Sequence, residues 1–414
     1  MLPQNMGSET NIKLPFSFIF FSLLALVFSQ LILLIKGQMM IEGSFRIPAI
    51  WSAAHLLVLG WALMAAMGAM YQLVPVAFLT KIWNEKFGFI QFFITAAGII
   101  SFSGMLYWAP QKALIPGILT LLGILMFLFQ MFMTLRSQAK PNILAAFVGT
   151  ALFCLFGTIL MGITLIYCLK TGIGANHYQS IFKTHLLMGI TGWFTLLIFG
   201  FSYKMVPMFS LSHGFTMVHA KYVFGIYMTG LAITAISFFT DYTFLLKIGI
   251  FLLFAGFSIF SWHISLIIKK RLKKKLDKPF TIALTAIVFG NLIHLAAFIL
   301  ILSTHFSTLV GPLVYAYLLL WIVLSIVGYL FKIVPFLWWT YKYSKEIGKS
   351  KVPSLKEMMD EKVVVPLFLS FIIAVIAVFS SLAFKSALLF NIGQSILSII
   401  FILIAICILR VLKK

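Results

Sequence analysis

Three stretches of this chain share one frame: GWALMAAMGAMYQLVP at 60–75, GWFTLLIFGFSYKMVP at 192–207 and LWIVLSIVGYLFKIVP at 320–335. Each reads Trp-x₆-Gly-x₆-Pro, as Trp61-Gly68-Pro75, Trp193-Gly200-Pro207 and Trp321-Gly328-Pro335. All three place Val before the proline and an aromatic residue (Tyr71, Tyr203, Phe331) four before it. The copies lie 132 and 128 residues apart, far beyond solenoid periods, so the repeated unit is domain-sized. On an α-helix, seven-residue spacing puts Trp, Gly and Pro on one stripe.

The surrounding composition says where such helices live. The chain is 62% hydrophobic and only 10% charged, with a mean hydropathy of +1.10. That excludes a soluble domain and predicts an integral membrane protein. Apolar runs predict twelve spanning helices, at 14–35, 49–79, 87–108, 113–135, 143–169, 181–210, 220–240, 243–268, 280–303, 308–340, 364–384 and 388–412. Several exceed the roughly 20 residues a bilayer needs, so they tilt or project. The first follows a short polar leader with Glu9 and Lys13 and lacks a small-residue cleavage site, so it is read as a span. The motifs fall in the second, sixth and tenth helices. The chain therefore divides into three four-helix repeats, 14–135, 143–268 and 280–412, forming a single all-α transmembrane domain. An even number of spans per unit makes the repeats parallel.

The net charge of +22 raises the question of nucleic acid, and its distribution answers it. Of 31 Lys and Arg, 24 fall at the termini or beside connections after even-numbered helices, and 7 on the other side. The positive-inside rule then puts both termini in the cytoplasm, and the motif helices run from outside to inside. The densest run, KKRLKKKLDK at 269–278, reads as a topology anchor near anionic headgroups. The polar segment 341–363 is expected to be a cytoplasmic loop with a short amphipathic helix near 353–362. Cys154, Cys168 and Cys407 form no CxxC and read as ordinary buried thiols.

All nine carboxylates lie outside the apolar centres: Glu9, Glu42, Glu85, Asp241, Asp277, Glu346, Glu357, Asp360 and Glu361. Ion-coupled transport and carboxylate proton relays lose their usual carriers. The histidines are more informative. His55 and His185 precede Trp61 and Trp193 by six and eight residues, near the outer ends of their helices. An imidazole in a span is either a metal ligand or a polar clasp between helices, and for these two both readings stand open. On a uniform α-helix the two offsets differ by about 200°. His294, deeper in the ninth helix, reads as a clasp, and His177, His213, His219, His263 and His305 lie toward loops or span ends. Gly68, Gly200 and Gly328 either allow close helix contact or leave room for a flat ligand. Lys204 and Lys332 follow the motif aromatics, where Gln72 stands in the first copy, and read as snorkelling cations with an anion contact as the sharper alternative.

Together these features resemble the haem–copper oxidase subunit I superfamily, especially small subunit I-like proteins and the large subunit of nitric oxide reductases. HLLVLGWALMAAMGAMYQLVP, 55–75, looks like that family's second helix, which carries a haem-ligating His near its outer end. The resemblance implies twelve helices in three parallel units about a pseudo-threefold axis, haem as cofactor, His55 as the first candidate ligand and His185 as the second. It also implies electron transfer or handling of a diatomic gas, nitric oxide or oxygen, in a bacterial cytoplasmic membrane, with an electron donor or partner subunit. The chain departs from the family at the copper site. Members carry a His in helix 6, a His-His pair in helix 7 and two His one residue apart in helix 10. Here AKYVFGIYMTGLAITAISFFT has none, and GPLVYAYLLLW offers Tyr315 and Tyr317 instead. Copper and proton-pumping oxygen reduction are therefore not expected. The alternative reading is a cofactor-free assembly factor or small-solute transporter on the same fold.

Overall fold

The computed structural model describes residues 10–138, 141–240, 242–303 and 306–414. Glu9, Asp241 and His305 lie outside them. Within them, twelve helices are long and apolar enough to cross a membrane: α1 Lys13–Glu42, α2 Pro48–Phe78, α3 Glu85–Trp108, α4 Leu114–Arg136, α5 Ile143–Thr171, α6 Ala175–Ser210, α7 Val218–Ser237, α8 Thr243–Lys269, α9 Lys278–Ile301, α10 Thr308–Glu346, α11 Glu361–Phe384 and α12 Ala387–Lys413. The described residues form no β-strand beyond one isolated bridge. This is an all-helical integral membrane protein.

Polar residues set the helix ends. The side chains of Asn84, Asn142, Asp360 and Ser386 accept backbone N–H groups in the first turns of α3, α5, α11 and α12. α2 and α6 both stop four residues after the motif proline, at Leu79 and Leu211, in the left-handed region with φ of 53° and 54°. At Pro75 the missing N–H leaves the Tyr71 carbonyl without its helical donor, and the Thr10 hydroxyl supplies one at 3.4 Å. The expected short helix at 353–362 does not form. Residues 355–358 make a turn, closed by Ser354 N–H on the Glu357 carboxylate at 2.7 Å, and Asp360 already caps α11. A chain that must both turn at 354 and start a new helix at 361 has no room for a third.

Two compact units emerge. One contains α1 up to Met39, α2–α4, the part of α10 from Tyr329 onward, α11 and α12. In it Gly68 rests on α1: a Cβ there would lie 2.8 Å from the Pro15 carbonyl and 3.0 Å from Phe18. α3 and α4 interlock by exchange, Gly98 against the Thr120 backbone and Gly123 against Thr95. α12 meets α1 through a buried amide pair, Gln394 Nε2 donating to Gln30 Oε1 at 2.9 Å.

The other unit contains Met40–Phe45, α5–α9 and α10 up to Gly328. Gly200 rests on α5 with a Cβ position 2.9 Å from Phe147, and Gly328 on α9 with one 2.6 Å from the Ala283 backbone nitrogen. α7 and α8 repeat the exchange, Gly249 against Thr234 and Gly230 against Leu253. All three motif glycines thus serve close contact with the preceding odd-numbered helix rather than an open slot. Lipid tails are as apolar as leucine, so such contacts hold helices together by dispersion rather than by exclusion of water.

The structure departs from a uniform α-helix at one recurrent place. α2, α6 and α10 each widen into a π-helix just before or across the motif tryptophan, over Leu56–Leu63, Leu187–Phe194 and Tyr317–Val323. Trp61, Trp193 and Trp321 lie inside these segments and are fully buried. The 200° separation of His55 and His185 assumed 3.6 residues per turn between His and Trp, and the π segments remove that premise.

Candidate functional site

In the first unit, His55 ends the α-helical turn that precedes the π segment of α2. Its Nδ1 lies 2.7 Å from the Trp51 carbonyl, and its ring meets Phe102 of α3 edge-on at 5.3 Å. A carbonyl only accepts, so Nδ1 carries a proton. A ligating histidine is commonly held in this way, with one ring nitrogen bound to a carbonyl.

In the second unit, His185 reaches the same state by another route. Its Nδ1 donates across to the Thr158 carbonyl of α5 at 2.9 Å. Gly162 makes the space, since a Cβ there would lie 3.1 Å from the imidazole. One turn on, Gly189 faces Thr158 and Gly192 faces Cys154, so α6 is pressed onto α5 along its π segment.

His294 is buried in α9 and behaves as a clasp. Its Nδ1 donates to the Gly290 carbonyl at 2.8 Å, and its Nε2 lies 3.3 Å from the Tyr227 hydroxyl of α7. That hydroxyl also lies 3.3 Å from the Thr191 carbonyl, so one proton serves two acceptors. Beside it, Thr195 forms a saturated node. Its hydroxyl donates back to the Ile190 carbonyl at 3.1 Å and accepts from Trp321 Nε1 at 3.0 Å and Tyr317 at 2.6 Å. The residue that follows the π segment of α6 therefore meets the π segment of α10 through hydrogen bonds. Trp61 and Trp193 differ from Trp321: their indole nitrogens are buried with no partner. Tyr317 is one of the two tyrosines of the stretch GPLVYAYLLLW. Tyr227, Thr191 and Thr195 are invisible in sequence, because nothing local marks groups whose partners come from other helices, α6 and α9 for Tyr227 and α10 for Thr195.

A second pair of polar clusters follows the motif tyrosines. In the first unit the Tyr71 hydroxyl donates to Gln91 of α3 at 3.0 Å, and Gln91 in turn to Thr95 at 2.7 Å. In the second, Tyr203 lies 3.2 Å from His263 Nδ1, while His263 Nε2 donates to the Thr216 carbonyl at 2.9 Å. His263 is thus buried and engaged rather than solvated, and its ring lies 5.0 Å from that of His219. His177 and His213 are exposed. Cys154 and Cys168 are buried, and Cys407 half-buried, all as free thiols.

Each unit therefore holds one candidate imidazole whose Nδ1 donates to a main-chain carbonyl, His55 in the first and His185 in the second. Among the described residues no three His, Cys, Asp or Glu side chains come together as a metal-binding group. No protein-family model matches the chain, and no curated protein matches it.

Proposed function

We propose that this chain is a divergent membrane haemoprotein built like subunit I of the haem–copper oxidases, with His55 as first and His185 as second candidate axial ligand. The observation that carries the reading is the fixing of both rings: each imidazole gives an Nδ1 proton to a main-chain carbonyl, the outer hydrogen bond that orients a ligating histidine. Haem held there supplies electron transfer or reversible handling of a diatomic gas. The chain's own part is to fix the ring of His55 by Trp51 and Phe102, and that of His185 by Thr158 and Gly162. The proposed arrangement is three parallel four-helix repeats about a pseudo-threefold axis, with both termini cytoplasmic. It is supported by three matching π segments and by three motif glycines seated on the preceding odd-numbered helix.

The assignment is tested by absorbance of the purified protein after expression with added haem precursor. His55→Ala is expected to abolish or shift the Soret band and His185→Ala to spare it. The reverse pattern reassigns the ligand, and an undiminished band in the double variant defeats both.

A second reading, a cofactor-free assembly factor or solute transporter, draws on the glycine stripe. At Gly68, Gly200 and Gly328 the space for a flat ligand is taken by neighbouring helices. Haem-free protein stabilised against heat by a small solute favours it.

A further inference from the structure

We propose that the segment joining α8 to α9 is a binding site for the phosphate headgroups of anionic glycerophospholipids. Its run KKRLKKKLDK, 269–278, carries seven basic residues and one acidic one. The acid is already engaged, Asp277 accepting from Lys273 at 2.6 Å. Lys269, Lys270, Arg271, Lys274, Lys275 and Lys278 are exposed.

The segment is built rather than loose. It pairs with the α6–α7 connection in an antiparallel bridge between Ser212 and Arg271. Leu272 N–H donates to the Leu211 carbonyl at 3.2 Å, and the Lys270 ammonium donates to the Gly214 carbonyl. The α6–α7 connection is itself pinned from behind by His263 on the Thr216 carbonyl. The left-handed turn at Leu211 brings the chain out of α6 directly into this pairing. Cations held on a paired backbone lose less freedom on binding than cations on a free loop.

Lipid is favoured over a soluble polyanion by what lies between the charges. Leu272 is 71% exposed and Leu211, bonded to it, is 52% exposed. Two adjacent bare leucines among lysines suit the boundary between headgroups and acyl chains. The run also sits where lipid phosphates do, since Lys269 ends α8 and Lys278 begins α9. The other long polar segment, 341–363, lacks this imbalance, with six lysines against four carboxylates.

The test uses the full purified chain, given equimolar phosphatidylglycerol and phosphatidylcholine and read by native mass spectrometry. The wild type is expected to retain phosphatidylglycerol preferentially. R271Q/K274Q/K275Q/K278Q should lose about tenfold or more of that preference, while K345Q/K349Q/K351Q/K356Q keeps it. A folded but lipid-deficient Gln variant is recognised by an unchanged melting temperature, and K274R/K275R/K278R should retain lipid. Equal retention by the Gln variant, or equal loss in the control, overturns the proposal. Displacement of the lipid by inorganic phosphate would reduce the site to a phosphate site. Displacement by a soluble acidic peptide would reassign it to a protein partner.

Discussion

Gly328 leaves no room for a methyl group. An added Cβ would fall 2.6 Å from the Ala283 nitrogen, which is backbone and cannot turn aside. Gly328→Ala should therefore destabilise the protein by about 1–3 kcal/mol, the usual cost of overpacking. Gly225→Ala in α7 meets nothing within 4 Å and should be neutral or slightly stabilising. Thermal unfolding in detergent separates the two, and equal melting temperatures would contradict the packing described here. Thr195→Val keeps the shape but takes away the acceptor shared by Trp321 and Tyr317. Each stranded buried donor costs about 1–3 kcal/mol, so a clear drop in melting temperature is expected, and no change would mean the node is dispensable. The glycine contact was one of two readings visible in the sequence, because Trp, Gly and Pro share a stripe. Thr195 was not visible, because its partner Tyr317 lies 122 residues away.

At the scale of elements, every span was legible, because twelve apolar runs separated by charged connections admit few other divisions. The ends agree to within a few residues for most helices, as α4 at Leu114–Arg136 against 113–135 illustrates. Three helices run further through short 3₁₀ turns: α6 begins at Ala175, six residues before its apolar run, and α1 and α10 end at Glu42 and Glu346, seven and six residues beyond theirs. The π segments were not legible, since a hydrophobic helix has no polar face whose drift would betray a change of pitch. Their consequence is testable. Deleting Leu187 would let the π segment of α6 close to α pitch and turn the preceding residues by about 100°. His185 would then leave Thr158 and the space at Gly162. Loss of a cooperative unfolding transition is expected, and an unchanged melting temperature would show that the π segment has no structural role.

At the scale of the whole molecule, the charge asymmetry carries the proposed topology, because lysine is costly to translocate. A single cysteine placed at Ser350, after replacing the three native ones, should be shielded from an impermeant thiol reagent in intact cells, while one at Lys112 should react. The opposite pattern would invert the topology. The proposed cofactor was legible only through residues that resemble a family, His55 above all, and the hydrogen bonds of the two imidazoles add the carbonyl partners of Nδ1 that sequence cannot give. The most direct measurement is iron analysis alongside the visible spectrum of the wild-type protein, purified after expression with haem precursor. Iron that copurifies with a Soret band is the expected result. Folded, monodisperse protein with neither iron nor a Soret band would contradict it.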